Sequence, residues 1–515
     1  MNKILLSIAF VLTYVCTNAQ TKTFTDLGDS YKTKNFGAML NSNNAVDGYY
    51  NFCVGEKLKK KQREYLIKIY DQDINLVLKK KYVDSKHLIL INGKYNGQQI
   101  MLCFLDTKEK QYKLIGFDRE GNKKSTHVIP LNSKEFMYVD QGKKYPELLA
   151  IKNSGFAFMH YTKEKKSGYK ITFFPTNGST DKWTYGTDPK SKYHEHITFA
   201  GNSEYGISFY LFLKKTMLSK KLTIITKVIN TKTGEAIFEQ KEQEETPRLL
   251  SNTHFQNGFF VNTGEYFAKG NNPLKDASVG LYFNKYDYTG KLLSSKKTNW
   301  NNPVFGKFQV PNNKKNKNHL YIHDFIQTQS GEYYAISEEY KRSASAAGVG
   351  LKALAIAGMT AGGGGSIGVG GTTKLTITDS HFIKFDKDFN LLEMKDFEKG
   401  KSYAFCPLDF GSAQINAHIL NEYGYFDYSY TQTDKNKNRF YSMFIDFERT
   451  KGKKNKFALK AVIYNNGKLS EDKIYLSKGK VTTLVYPAKK GHVLLFDYNK
   501  KKETAEVHLE KLNIE

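Results

Sequence analysis

The stretch "LIKIYDQDINLVLKKKY", residues 66–82, decides the fold. An apolar run alternating with polar residues meets an Asp/Asn cluster, and a Lys-rich run follows. Period-two alternation is the pattern of a half-buried strand, and Asp or Asn beside Gly makes the turn of a hairpin. The same unit recurs as "KLIGFDREGNKKSTHVI" (113–129), "TIITKVINTKTGEAIFEQ" (223–240) and "LYFNKYDYTGKLLSSKK" (281–297). It recurs again as "HFIKFDKDFNLLEMKDF" (381–397) and "AVIYNNGKLSEDKIYL" (461–476), with a weaker copy from Lys170.

Working outward, a further strand with its own Gly precedes several of these hairpins, as in "NSGFAFMHY", "QSGEYYAISEEY" and "KKGHVLLFDY". Strand, turn, strand, turn, strand at a period of roughly 45 to 70 residues is the signature of propeller blades. The expected fold is therefore all-β, a β-propeller of about seven blades. Six blades lie inside the chain. The seventh joins the C-terminal strands "VTTLVYP", "HVLLFDY" and "AEVHLEKL" to the N-terminal "YYNFCVG" and "YLIKIYD". Six or eight blades, or two β-rich domains, are the alternatives.

The N-terminus, "MNKILLSIAFVLTYVCTNAQ", has a charged start at Lys3, an apolar run and small residues at Thr17–Ala19. It reads as a secretory signal over residues 1–19, leaving a propeller over 20–515. The expected location is the periplasm, the cell envelope or the medium. Beyond the signal no run reaches the length of a membrane span. The remaining cysteines, Cys53, Cys103 and Cys406, lack the spacing of a disulfide framework or a zinc site.

The formal charge is +27. Nearly all of it is Lys; Arg occurs only at 63, 119, 248, 342, 439 and 449. Readers of bases and phosphates use the planar Arg fork, and these lysines fall in turns, so the charge reads as a solvated surface rather than a nucleic-acid site.

One segment breaks the pattern. "SASAAGVGLKALAIAGMTAGGGGSIGVGG" (343–371) has a single charge, Lys352, and falls between two strands of one blade, so 341–371 reads as an insertion. Its first half contains helix formers, weakened by about 1 kcal/mol at each Gly. Such a short apolar helix needs a surface to bury it. Val349, Leu351, Leu354, Ile356 and Met359 are the candidate partner-binding residues, against the alternative of a loop tucked on its own blade. Lys352 and the broken helix disfavour membrane contact.

Catalytic motifs are scarce. "YHEHITF" sets His194 and His196 on one strand face, a weak pair for a metal without a third ligand. His319 and His323 in "HLYIHDF" align similarly. "DQDIN" (71–75) and "DKDFN" (386–390) echo a calcium loop but lack its Gly and its Glu, and turn chemistry accounts for them. Trp183 and Trp300 read as core residues. No motif asks for a cofactor. The opening "GYYNFCVGEKL…YLIKIYDQDINLVLKKKY" and the ending "VHLEKLN", with the signal, resemble an uncharacterised family of secreted bacterial β-propeller-like proteins across nearly the whole mature chain. That resemblance implies no activity. The expected function is a non-enzymatic binding or scaffold protein presenting a propeller face to a macromolecule or envelope component. The alternative is a glycan- or peptide-acting hydrolase or lyase in the propeller funnel, which would gather ionisable groups, His194 and His196 among them, at one channel mouth.

Overall fold

The Asp turns work as their sequence suggests. In a computed structural model, Asp71 Oδ1 accepts from the N–H groups of Asp73 (2.9 Å) and Asn75 (2.8 Å). Asp386 repeats this with Asp388 and Asn390, both at 2.8 Å, and Asp287 with Thr289 (2.9 Å) and Lys291 (3.0 Å). The fourth turn residue needs a left-handed backbone. Gly121 (φ 67°) and Gly290 (φ 82°) supply it freely, whereas Ile74 (φ 63°) and Phe389 (φ 61°) do so against steric cost. Both of the latter bury their side chains between blades, which offsets that cost.

The structure describes residues 20–514 apart from 25–34, 42, 59–60, 142–144, 177–181, 217–221, 243–245, 309–317, 345–372, 408–410, 449–455, 477–481 and 500. Among these residues the strands form eight antiparallel sheets, one per blade. Blades 1 to 7 each follow the chain, over residues 36–85, 88–130, 147–186, 194–241, 248–299, 319–405 and 428–475. Blade 8 takes three strands from residues 482–511 and its outermost from Gln20–Phe24, paired from Gln20↔Leu509 to Phe24↔Ala505. The ring is thus closed by strand exchange between the two ends.

The expectation of seven blades is corrected to eight. "YYNFCVG" and "YLIKIYD" belong to Val46–Lys57 and Gln62–Tyr70 of a complete blade 1, whose inner strand is Phe36–Leu40. The C-terminal strands need only five residues from the N-terminus to complete their own sheet. A five-residue outer strand carries too little periodicity to be read from sequence.

Packing follows from closure. Middle strands are covered by a blade on each side, so Ile100–Asp106 is buried throughout. Outer strands are half-solvated, and Leu292–Asn299 is exposed at all but one position. The cores lie between blades. Phe52, Tyr65 and Phe104 join blades 1 and 2; Trp300, Phe305 and Phe385 join blades 5 and 6. Cys53, Cys103 and Cys406 are buried.

Because strands alternate in direction, the connections sort by face. The links from second to third strand, and from one blade to the next, emerge on what we term the upper face. The Asp hairpins emerge on the lower. The upper face carries helix α1 (Ser133–Asp140) and helix α2 (Ala413–Glu422). It also carries the end of a long ribbon in blade 6, where Tyr333–Ala344 pairs with Thr373–Phe385 as far as Ala344↔Thr373. Ser402–Phe405 adds to that ribbon through Lys374↔Phe405. Residues 345–372, with Val349, Leu351, Leu354, Ile356 and Met359, lie outside the described residues. Among the described residues no helix is long and apolar enough to cross a membrane.

Candidate functional site

Helix α2 lies across the inner ends of blades 4, 5 and 6. Ser412 caps it, accepting from the Ile415 N–H (3.2 Å) and donating to the Pro273 carbonyl (2.6 Å). Ile415 is buried against Leu249 and Leu250 of blade 5 and Tyr210 of blade 4, while Ala417 and Leu420 face Tyr321 and Tyr340 of blade 6. Its polar side chains are anchored too. Gln414 donates to His319 Nδ1 (3.1 Å), His418 pairs with the Tyr210 hydroxyl (3.0 Å) and Asn421 donates to that of Tyr321 (3.1 Å). Burial pushes His418 down to about 3 and His319 down to about 4, so both are neutral.

The helix ends over His196. Glu422 Oε2 accepts from His196 Nε2 (3.0 Å) and from the Thr198 hydroxyl (2.9 Å). The other ring nitrogen, Nδ1, faces the Tyr161 hydroxyl of blade 3 at 3.2 Å. Beside them stands Glu147, the first residue of blade 3's inner strand. Burial, then the charge of Glu422, raises its carboxyl to about 7 against the pull of Lys94. One carboxyl that holds its proton near neutrality thus neighbours one that is hydrogen-bonded through a histidine. A carboxyl raised toward neutrality in this way can exchange a proton there.

This raised value has a consequence for stability. A carboxyl whose folded pKa lies above its unfolded value of 4.5 loses stability as pH rises through that window toward 7. Glu147→Gln should therefore raise stability by ~1–2 kcal/mol at pH 8, and by much less at pH 5, in paired thermal melts. An equal effect at both pH values would contradict the assignment.

His194, on the same strand face as His196, has different partners. The Ser167 N–H donates to its Nδ1 (3.1 Å), and the Ser167 hydroxyl is 3.3 Å away. Burial, then Lys166 and Lys163, lowers its pKa. The two histidines flank one cavity of about 260 Å³ that α2 roofs with Ile415 and Ile419. Among the described residues no set of three His, Cys, Asp or Glu side chains is placed to hold a metal ion. His319 and His323 turn to different partners, because the strand bulges between Ile322 and Asp324: His319 meets Gln414, and His323 Nε2 meets Glu338 (2.9 Å). Trp300 is buried, and Trp183 stacks on Phe173 at 5.5 Å.

Sequence reasoning found the His194/His196 pair but not Glu422 or Tyr161. The missed signal is "GSAQINAHILNEYG": a Ser cap, Ile415 and Ile419 four apart, and a closing Gly.

These features define a closed eight-bladed propeller with a helix laid across the upper ends of blades 4, 5 and 6. The chain belongs to the DUF6770 family, a family of unknown function, whose model matches residues 1–513. No curated protein matches the sequence. Among solved structures it is similar to the WD40 domain of SCAP from fission yeast, at 8% identity and TM-score 0.35, over 96% of this chain and 98% of that one. It is similar to prolyl oligopeptidase B from Galerina marginata at 10% identity and TM-score 0.39, over 91% of this chain and 56% of that one. A PL25 ulvan lyase matches at 9% identity and TM-score 0.37, over 81% and 91%.

Proposed function

We propose that the protein is an exported, non-enzymatic binding propeller that presents its upper face to a macromolecular component of the cell envelope. The observation that carries this reading is the placement of exposed aromatics. Tyr145, Tyr193, Tyr403, Tyr423, Tyr425, Phe457 and Tyr475, each 43–57% exposed, all stand on upper-face connections or strand ends. The large apolar side chains exposed on the lower face, among the described residues, are aliphatic: Leu40, Leu76, Val77, Leu292, Leu293 and Leu392.

Single exposed apolar residues need no explanation, but a one-sided aromatic set does. Tyr offers a large, stiff contact surface at low entropic cost, which is why binding surfaces concentrate it. Lys374 lies over the Tyr403 ring (4.9 Å) and Lys456 over Tyr475 (5.5 Å), so two platforms carry cations. The blade 6 ribbon ends on this same face at Ala344 and Thr373, which flank the Gly/Ala-rich run that carries the sequence candidates Val349, Leu351, Leu354, Ile356 and Met359. Export would leave the closing strand intact, since that strand starts at Gln20, directly after the expected cleavage site.

The test is a photo-cross-linking residue placed in cells at Tyr423 or Tyr193, and at Leu292 as the lower-face control. Adducts at the upper positions should exceed the control by about tenfold. Deleting 345–372, with a short turn joining Ala344 to Thr373, should reduce them without changing the melting temperature. Equal adducts on both faces, or none on either, would remove the reading.

A hydrolase or lyase remains the second reading, favoured by the gathering of His196, Glu422 and Glu147 beneath helix α2. Turnover of a glycan or peptide that disappears in Glu422→Gln would establish it.

A further inference from the structure

The ribbon that blade 6 raises on the upper face has two unlike sides. Its three strands set Lys341 opposite Thr376, Thr376 opposite Tyr403, and Lys374 opposite Phe405. Residues opposite one another in an antiparallel pair point the same way, and neighbours along a strand point oppositely. One side therefore carries Leu375, Ile377 and Ala404, which are buried against Ala417 and Leu420 of α2. Arg342 belongs to that side, where its guanidinium donates to the Thr373 hydroxyl (3.0 Å) and to the Gly411 carbonyl.

The other side faces away from α2 and carries Lys341, Lys374, Thr376, Tyr403 and Phe405. Tyr403 is 56% exposed, and Phe405 stands edge-on to it at 6.5 Å. Among the described residues no carboxylate lies within ion-pair distance of Lys341 or Lys374, whereas Lys384, at the lower end of the same strand, meets Glu332 at 2.8 Å. Lys374 Nζ instead lies 4.9 Å from the centre of the Tyr403 ring. Such a contact is weak at an exposed site, so an anion can take the ammonium from it.

Rings, ammonium groups and a hydroxyl on one side of a sheet match a partner that combines apolar faces, hydroxyls and negative charge. A uronic acid has all three: C–H bonds across the face of its ring, hydroxyls around the edge and a carboxylate. Blade 7 repeats the pairing of ring and cation on the same face, with Lys456 Nζ 5.5 Å from the centre of the Tyr475 ring. A repeated platform suits a partner built of repeated units.

We propose that this side of the ribbon binds a polyuronate, a polysaccharide of carboxylate-bearing sugars, with one sugar ring on Tyr403 and carboxylates at Lys341 and Lys374. The assignment rests on the upper face being the binding face.

The experiment is titration calorimetry of the purified protein with a galacturonic acid hexamer, with the methyl ester of that hexamer and with hexaglutamate. The acid hexamer should bind at least about tenfold more tightly than either control, since the ester lacks the charge and the peptide lacks the sugar. Tyr403→Ala should weaken it by about tenfold and Tyr403→Phe should restore it. Lys374→Met should weaken it too, and should make the remaining affinity less sensitive to salt. Both side chains lie on the solvent side, so melting temperatures should not move. Equal affinity for the ester or for hexaglutamate, or full affinity in Tyr403→Ala, would overturn the assignment. No binding of any probe, with adducts at Tyr423 still formed in cells, would remove the polyuronate and leave the binding face; loss of those adducts as well would remove both.

Discussion

Replacing Lys399 by Met should cost ~3–5 kcal/mol of stability at pH 7, and distinctly less at pH 5. Lys399 lies just after the outer strand of blade 6, its side chain fully buried. It meets Glu338 at 2.9 Å and Asp427 at 2.5 Å. Glu338 is itself fully buried in blade 6's second strand and also accepts from the Tyr428 N–H (3.0 Å) at the start of blade 7. This one lysine therefore bridges two carboxylates at the seam between two blades. Burial pushes Glu338 up, but Lys399 and then His323 outweigh it and hold the carboxyl down to about 2.

The sign of the pH effect follows. A depressed folded pKa contributes stability that is present above the unfolded value of 4.5 and is lost as pH falls toward 2. Removing Lys399 reverses the balance, because burial then dominates and Glu338 is left as a poorly compensated charge. Lower pH lets that carboxyl take up a proton, so the variant should recover part of its loss by pH 5. Glu338→Gln combined with Lys399→Met should be more stable than Lys399→Met alone, since the more deeply buried of the two carboxylates that Lys399 served no longer carries a charge. Denaturant melts of the wild type and both variants at the two pH values check this. A loss below 1 kcal/mol, or one independent of pH, would mean that water reaches the seam.

The contrast between what the sequence shows and what it hides has a physical basis. Hairpins such as 66–82 and 381–397 are legible because turn chemistry is local: Asp71 and Asp386 bond backbone groups two and four residues on. Blade count is not local. It depended on whether Phe36–Leu40 and Gln20–Phe24, each five residues long, are strands, and their partners decide that. The site follows the same rule. His194 and His196 are two apart and share a strand face, so their pairing is visible. Glu422 is 226 residues from His196 and arrives on a helix whose sequence is unremarkable beside the repeats. Buried charges are equally hidden, for Glu338 and Lys399 look like surface residues until two blades close over them.

The other large effect concerns ring closure. Phe24→Ala should destabilise the protein by ~3–5 kcal/mol, whereas Thr23→Ala, its exposed neighbour on the same strand, should be almost neutral. Phe24 is the buried anchor of the exchanged strand. Its ring stacks on Tyr70 of blade 1 at 4.8 Å, and it lies 6.4 Å from both Phe36 of blade 1 and Phe496 of blade 8. It therefore joins the first and last blades through side chains as well as through the ladder to Thr504–Lys511. Truncation to Ala removes ring contacts on three sides and leaves a void that the flanking blades can fill only by shifting. With the anchor gone, the strand should fray and uncover the outer edge of blade 8, an open template for pairing with another chain. Amide hydrogen exchange should accordingly speed up across Thr504–Lys511 and stay unchanged in the middle strands of blades 3 and 4, far around the ring. If Phe24→Ala melts within 1 kcal/mol of the wild type and protects Thr504–Lys511 as well as the wild type does, packing between blades 1 and 8 closes the ring without the exchanged strand.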